Sequence, residues 1–174
     1  IDELAAAGHP SIKIFMSFRR FDRHLAGYLR AMQAAAASGT VVLVHCEDLA
    51  VMNCCGHALD EAGHTEAVHF PKSRPVEAER IATERAVGYC ATTGATTYVV
   101  HLSSAAALEA CRKARARGLP VHVETRPIYL HLNESRFSEP DGAKYAGAPP
   151  LRSDADRDAL WAGLNDGTVS TVCT

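Results

Sequence analysis

Residues 11–16, Ser-Ile-Lys-Ile-Phe-Met, form a short apolar run with a lysine near its middle. In a β-strand, Ser11, Lys13 and Phe15 share one face, and the apolar residues between and after them share the other. We expect Lys13 in such a strand to leave water, which favours the neutral amine, a nucleophile or, once modified, a metal ligand. The alternative is a lysine at a strand end that extends its ammonium to solvent.

Two later stretches also end an apolar run with a chemically active side chain. Residues 41–45, Val-Val-Leu-Val-His, precede Cys-Glu-Asp, and residues 98–101, Tyr-Val-Val-His, precede Leu-Ser-Ser. Both runs are typical of strands covered on two faces in a parallel sheet. Barrels and open α/β sheets place their chemistry at the carboxyl ends of such strands. Lys13, His45 and His101 are therefore candidate functional residues.

The composition allows a sizeable core and argues against two classes of partner. Of the 174 residues, 47% are hydrophobic, and 18 basic and 20 acidic residues give a net charge of −2. We find no basic stripe for nucleic acid, no polybasic anchor and no apolar run long enough to span a membrane. Because the chain starts at Ile1 and stops inside a predicted strand, we expect a piece of a longer protein.

Six cysteines without a Cys-x-x-Cys pair favour reduced thiols and a cytoplasmic location. The placing of the cysteines, two of them adjacent and others within helical patterns, argues against a disulfide framework.

The chain alternates predicted strands and helices. Besides the three strands above, the pattern predicts strands at 119–124 and 169–174. It predicts helices from Asp22 to Ser38, from Asp48 to Ala62, from Pro75 to about Thr92, from Ser103 or Ser104 to Gly118, and after a capping box at Ser153 and Asp156. Residues 64–74 and 126–152 are predicted to be loops, the second long enough to carry function.

Five strands separated by helices imply parallel pairing with right-handed crossovers. A doubly wound open sheet usually carries a glycine-rich phosphate turn, and this sequence has none. Functional side chains at several strand ends favour an α/β (β/α)8 TIM barrel. Five strands cannot close that barrel, so we expect residues 1–174 to be a partial barrel domain that lacks the first strands and the last helix.

Six short motifs together resemble the hydantoinase/dihydropyrimidinase family of cyclic amidohydrolases. They are Ser-Ile-Lys-Ile-Phe-Met at 11–16, Val-His-Cys-Glu-Asp at 44–48, Ser-Arg-Pro at 73–75, Val-His-Leu-Ser-Ser at 100–104, Glu-Thr-Arg-Pro-Ile-Tyr-Leu at 124–130 and Pro-Pro-Leu-Arg at 149–152. They span nearly the whole chain in the family's order.

The resemblance implies a centre with two divalent metal ions, usually Zn²⁺, held in a (β/α)8 barrel. Lys13 matches the lysine that carbon dioxide converts to a carbamate bridging both ions, and His45 and His101 match ligands of the second ion. In the family a hydroxide bridging the ions opens the ring of a cyclic amide. The resemblance places the remaining ligands outside this piece: a His-x-His pair before Ile1, and a general-base aspartate just after Thr174. We therefore expect the isolated piece to be inactive.

Two positions depart from the family's pattern for binding substrate. Phe18 stands where hydantoinases have a tyrosine whose hydroxyl stabilises the oxyanion, and phenylalanine has no donor. Ala148 replaces a serine that meets the cyclic imide through its backbone, and that contact survives the change. Phe18 therefore affects the expected substrate more than Ala148 does.

The resemblance predicts a hydrolase of a small cyclic amide, such as a hydantoin or a dihydropyrimidine. The alternatives are a non-catalytic scaffold on the same barrel, or another cyclic amidohydrolase such as allantoinase or dihydroorotase. Relatives commonly assemble as tetramers, which implies a homo-oligomer for the full-length protein.

Overall fold

Five parallel strands form one sheet in the computed structural model, which describes all 174 residues. Strands that are neighbours along the chain are neighbours in the sheet. The strands are β1 (Ser11–Phe15), β2 (Val41–His45), β3 (Thr97–Val99), β4 (Val121–Thr125) and β5 (Thr171–Val172). A doubly wound sheet reverses its strand order at a switch point, whereas this order runs without reversal, as an arc of a barrel does. The prediction of a partial (β/α)8 barrel is confirmed.

Nine α-helices accompany the strands. They are α1 (Asp2–Ala6), α2 (Arg19–Arg23), α3 (Leu25–Ser38), α4 (Leu49–Glu61), α5 (Phe70–Ser73), α6 (Val76–Thr93), α7 (Ala105–Ala116), α8 (Pro127–His131) and α9 (Asp154–Asn165). Side-chain caps begin three of them as predicted: Asp48 accepts from two backbone N–H groups of α4, Ser104 caps α7, and Ser153 with Asp156 forms the capping box of α9. These caps satisfy backbone donors that the first turn leaves unpaired.

Several sequence-based boundaries were wrong. Asp22 does not cap a long helix, because it lies inside the short α2 and accepts a hydrogen bond from Arg85. The two predicted loops contain helical turns, since one 3₁₀ turn and α5 lie within 64–74, and α8 and two 3₁₀ turns lie within 126–152. The last strand pairs over only two residues, Thr171 and Val172. Local propensity did not reveal these short turns because tertiary packing stabilises them.

The helices cover one face of the sheet, and the main core lies between the helices and that face. Ile14, Val44, Val99 and Val123 are buried on this face. The register pairs Lys13 with Leu43 and Phe15 with His45, which places these residues on the opposite face. That face collects the candidate functional residues. No helix combines the length and the apolar character that crossing a bilayer requires.

Candidate metal-ligand site

His45 and His101 meet at the carboxyl ends of β2 and β3. Nδ1 of His45 lies 3.1 Å from Nε2 of His101, and the two rings meet edge to face with centroids 4.8 Å apart. His101 follows β3 in a left-handed conformation, with φ of +42°, which is uncommon for a residue with a side chain. The backbone N–H of His101 donates to Oε1 of Glu124 at 2.9 Å, so the turn is held from β4. The structure therefore brings two of the three predicted residues together.

Glu47 fixes the orientation of the His45 ring. It is fully buried, and its Oε2 lies 2.8 Å from Nε2 of His45. Burial raises the pKa of Glu47, but hydrogen bonds from His45 and Arg74 outweigh burial and lower the pKa below its ordinary value. An ionised carboxylate can only accept, so Nε2 of His45 carries the proton. In neutral His45 the lone pair is then on Nδ1, the atom that faces His101.

Arg74 supplies the second support of Glu47. Its Nε donates to Oε1 of Glu47 at 2.9 Å, and its Nη2 donates to Oε2. The planar guanidinium matches the carboxylate in a two-point contact that sets both distance and orientation. Arg74 lies in the Ser-Arg-Pro motif just before α6, so the loop entering this helix holds the group that orients His45.

A second buried ionic group continues from Arg74. Nη1 of Arg152 donates to the backbone oxygen of Arg74 at 2.6 Å, and Nε donates to Oγ of Ser103 at 3.1 Å. Both the N–H and the hydroxyl of Ser103 donate to the carboxylate of Glu79. Burial raises the pKa of Glu79 although Arg152 and these hydrogen bonds lower it. The network thus links α6 and the turn after β3 beneath the histidines.

Glu79 and Arg152 were not among the residues predicted for the site. One signal was available for Glu79. It falls among the buried positions of α6, alongside Ala78, Ala82 and Thr83. A charge inside an apolar stripe requires a partner, and Arg152 is the buried cation nearby, with Nη2 at 3.6 Å from Oε2 of Glu79.

Lys13 is exposed in this arc of five strands, on the face opposite the helices. The reason is that the helices cover the other face of β1, the one with Ile14 and Met16. Nζ of Lys13 lies 5.1 Å from the centroid of the Phe15 ring, which packs in turn on His45 with centroids 5.4 Å apart. The amine therefore lies on the same face as the histidine pair.

Burial, reinforced by nearby positive charge, keeps His101 neutral. Burial lowers the pKa of His101 to about 3, and the neighbouring His45 and Lys13 contribute in the same direction. A neutral imidazole has a lone pair to offer a metal ion. Nδ1 of His101 is buried and has no hydrogen-bond partner.

The two predicted substrate-binding residues have different surroundings. Phe18, 59% exposed, stacks on Phe15 with centroids 5.1 Å apart and, with Arg74, lines an open cavity of about 330 Å³. Ala148 is exposed in the long connection after α8 and takes no part in the hydrogen bonds of the histidine cluster. The next residue, Pro149, accepts from the hydroxyl of Tyr129 at 2.7 Å.

The donor geometry fits a divalent metal ion. Two imidazole nitrogens bound to one tetrahedral zinc ion lie about 3.3 Å apart, since each Zn–N bond is about 2.0–2.1 Å. Nδ1 of His45 and Nε2 of His101 are 3.1 Å apart. Metal-binding histidines usually donate their other N–H to a carboxylate, as His45 does to Glu47. His45 and His101 can therefore be ligands of one ion.

Known proteins with similar sequences and structures are hydantoinases, although no family model matches the chain. A D-hydantoinase of Geobacillus stearothermophilus is 38% identical over 95% of this chain, and a D-phenylhydantoinase of Escherichia coli is 34% identical over the whole of it. A solved D-hydantoinase (dihydropyrimidinase) from Thermus sp. superimposes with a TM-score of 0.93 at 33% identity, covering 99% of this chain and 38% of the solved one. The chain spans 36% and 38% of the lengths of the two curated relatives.

Fold and site together define the class: a partial (β/α)8 barrel of the amidohydrolase type, with imidazoles at the carboxyl ends of its strands. Within that class the chain belongs, as a partial chain, to the hydantoinase/dihydropyrimidinase family.

Proposed function

We propose that the full-length protein hydrolyses the ring of a small cyclic amide, such as a hydantoin or a dihydropyrimidine, with metal ions. The observation that carries this proposal is the facing pair of His45 Nδ1 and His101 Nε2, with His45 oriented by Glu47. The names of the relatives, D-hydantoinase and D-phenylhydantoinase, give the substrate class.

In this proposal His45 and His101 hold one ion, and Lys13, as a carbamate formed with carbon dioxide, bridges it to a second. The amine of Lys13 lies on the histidine face of the sheet, within reach of Phe15, which packs on His45. Two hard carbamate oxygens suit two divalent cations, of which Zn²⁺ also suits imidazole. When bound, the ions would supply an activated water and polarise the ring carbonyl.

The chain's own residues prepare this site before any ion binds. Glu47 keeps the proton of His45 on Nε2, and Arg74 keeps Glu47 ionised and in place. Phe15 and Phe18 form an aromatic wall beside the pair. We propose that Phe18 borders the substrate and that Ala148 offers it only backbone groups.

A hydrolysis screen of the full-length protein tests the proposal. Hydantoin, dihydrouracil, allantoin and dihydroorotate are each incubated with the metal-loaded enzyme and with chelator-treated enzyme. We expect metal-dependent opening of hydantoin or dihydrouracil. Turnover of allantoin or dihydroorotate alone would replace the substrate class with that of the other cyclic amidohydrolases. No turnover of any ring by protein with a full metal complement would favour the non-catalytic scaffold.

Phe18→Tyr tests the missing oxyanion donor. The variant adds a hydroxyl to the ring, and we expect faster hydantoin turnover, because one such donor contributes about 10²–10³ in rate in other enzymes. Phe18→Leu removes the ring without adding a donor and serves as the control. An unchanged or lower rate in Phe18→Tyr would show that the donor is not what limits this enzyme.

The proposal extends to assembly and location. We propose a homo-oligomer, a tetramer as in the family, and a cytoplasmic protein whose six cysteines stay reduced. In the structure all six cysteines are free.

A further inference from the structure

A second group of side chains that can bind a metal ion lies after α4. None of its residues belongs to the His45–His101 pair. It consists of His64, Glu66 and His69, each of which offers one ligand atom, and these atoms lie within 4.8 Å of one another. The His64 and His69 rings stack with centroids 4.2 Å apart, and Nε2 of His69 is 3.7 Å from Oε2 of Glu66. We name these three residues the loop cluster.

The backbone that carries the loop cluster is fixed by hydrogen bonds. Gly63 follows the C-cap of α4, and its φ of +72° allows a tight reversal. The N–H of His64 donates to the carbonyl of Leu59 and the N–H of Gly63 donates to that of Asp60, which is the Schellman arrangement. His69 closes a 3₁₀ turn in which its N–H donates to the carbonyl of Glu66. The three side chains are thus held close together before any ligand binds.

The electrostatics at this end of α4 favour a cation. The carbonyl groups of the last turn carry the negative end of the helix dipole, where acidic side chains are unfavourable. Asp60 and Glu61 nevertheless lie in this turn, which contains no basic residue, and neither forms an ion pair. Glu66 adds a third carboxylate, and its partner within 4 Å is an imidazole nitrogen of His69 rather than a lysine or arginine.

An unsatisfied atom points to a missing partner. Nδ1 of His69 is buried and makes no hydrogen bond, which is costly for an imidazole nitrogen. The loop cluster also lines a cavity of about 370 Å³, together with Asp60 and Phe137. An ion in this cavity can take an imidazole nitrogen of His69 as a ligand.

We propose that the loop cluster is a zinc site with three protein ligands, its fourth position being left to water. Two imidazole nitrogens and one carboxylate oxygen suit Zn²⁺, whereas Mg²⁺ and Ca²⁺ prefer oxygen alone. Ligand atoms on one zinc ion lie about 3.3 Å apart, so the cluster closes by roughly 1.5 Å when the ion binds. His64 and Glu66 are exposed and can turn to make that closure.

The ion would tie the end of α4 to the segment that leads into Arg74. His69 precedes α5, and Arg74 follows that helix and holds Glu47. A zinc ion in the loop cluster would therefore stabilise the segment that positions Arg74. Arg74 holds Glu47, which in turn orients His45. Its existence does not depend on the proposed hydrolysis, because no ligand of the loop cluster belongs to the His45–His101 pair.

Zinc content of the full-length protein tests the proposal. Wild type, His64→Ala and Glu66→Gln are dialysed against free Zn²⁺, and bound zinc is measured by mass spectrometry. We expect each variant to hold one zinc ion fewer per chain than wild type. His57→Ala, which removes an exposed histidine of α4 outside the cluster, should keep the wild-type content.

Thermal unfolding provides a second readout that activity does not affect. Ligand that binds only the folded state raises the unfolding midpoint. We expect Zn²⁺ to raise the midpoint less in His64→Ala than in wild type or His57→Ala. Equal zinc content and equal midpoint shifts in all four proteins would overturn the proposal, even if the protein proved to be an active hydantoinase.

Discussion

Glu47 shows, at the scale of one residue, how a buried carboxylate prepares a metal ligand. Without Glu47 the proton of neutral His45 could lie on either ring nitrogen, because neutral imidazole has two tautomers. With Glu47 ionised and held by Arg74, only Nδ1 of His45 offers a lone pair. The metal affinity of the pair should therefore depend on a residue that does not itself bind the metal.

Glu47→Gln tests this dependence in the full-length protein. Glutamine has nearly the same shape but loses the charge that orients His45 and pairs with Arg74. We expect zinc affinity to fall about 10–100-fold, the usual effect of removing such a support. Competition with a chromogenic chelator measures it, and Glu84→Gln, at a surface ion pair with Arg80, is the control. An affinity equal to that of the control would mean that Glu47 does not orient the ligand.

Glu79→Gln tests the buried ionic network through pH. Burial raises the pKa of Glu79 above its ordinary 4.5, so the folded state binds this proton more tightly than the unfolded chain does. The folded state is stabilised by binding this proton. That stabilisation is fully present below about pH 4.5 and is lost as pH rises through the pKa of Glu79 in the folded protein. Relative to Glu79→Gln, wild type should therefore lose free energy of unfolding as pH rises from about 4.5. Urea unfolding at a series of pH values measures the difference in free energy of unfolding between wild type and Glu79→Gln. A difference that does not change with pH would contradict a raised pKa for Glu79.

Individual residues were predictable only where the strand pattern placed them. His45 and His101 end apolar runs, so their convergence followed from parallel pairing. The Arg74–Glu47 contact joins residues 27 positions apart, and the sequence pattern does not encode it. The exposure of Lys13 in this arc of five strands was not predictable, because the strand pattern gave two faces but not which of them the helices cover.

At the scale of elements, Gly163 sets how closely α9 approaches α7. A Cβ at this position would lie 2.7 Å from Cδ2 of Leu108 and 3.0 Å from Cγ2 of Val169. Both neighbours belong to the buried core, so they cannot move without disturbing it. Helices α7 and α9 are therefore packed at the limit of contact.

Gly163→Ala should destabilise the full-length protein by about 1–3 kcal/mol, the usual cost of overpacking a core. Gly88→Ala in α6 is the matched control, because its Cβ would meet no atom within 4 Å. That substitution should stabilise by about 0.5–1 kcal/mol through helix propensity. Denaturant titration compares the two, and equal effects would show that the approach of α7 and α9 is not tight.

Elements with strong local signals were predicted well. Asp48, Ser104 and Ser153 begin helices where the sequence placed them, because a cap is a contact within one turn. The short α2, α5 and α8 were missed, since helices of four or five residues depend on packing that lies far away in sequence.

At the scale of the whole molecule, the strand order carries the assignment to a barrel. The order β1 to β5 without a reversal excludes the doubly wound alternative and places the ends of β2 and β3 side by side. Alternation of strands and helices predicted parallel strands, and functional side chains at several strand ends together with the absence of a phosphate-binding turn favoured the barrel. Because His45 and His101 end neighbouring strands, the fold itself brings the two imidazoles together.

An anomalous difference map of the zinc-loaded full-length protein, collected at the zinc absorption edge, tests the central claim most directly. The account predicts a peak about 2.0–2.1 Å from both Nδ1 of His45 and Nε2 of His101. It also predicts density for a carbamate on Lys13 within reach of that peak. A map with no peak between the two imidazoles, from protein that has bound zinc elsewhere, would contradict the account.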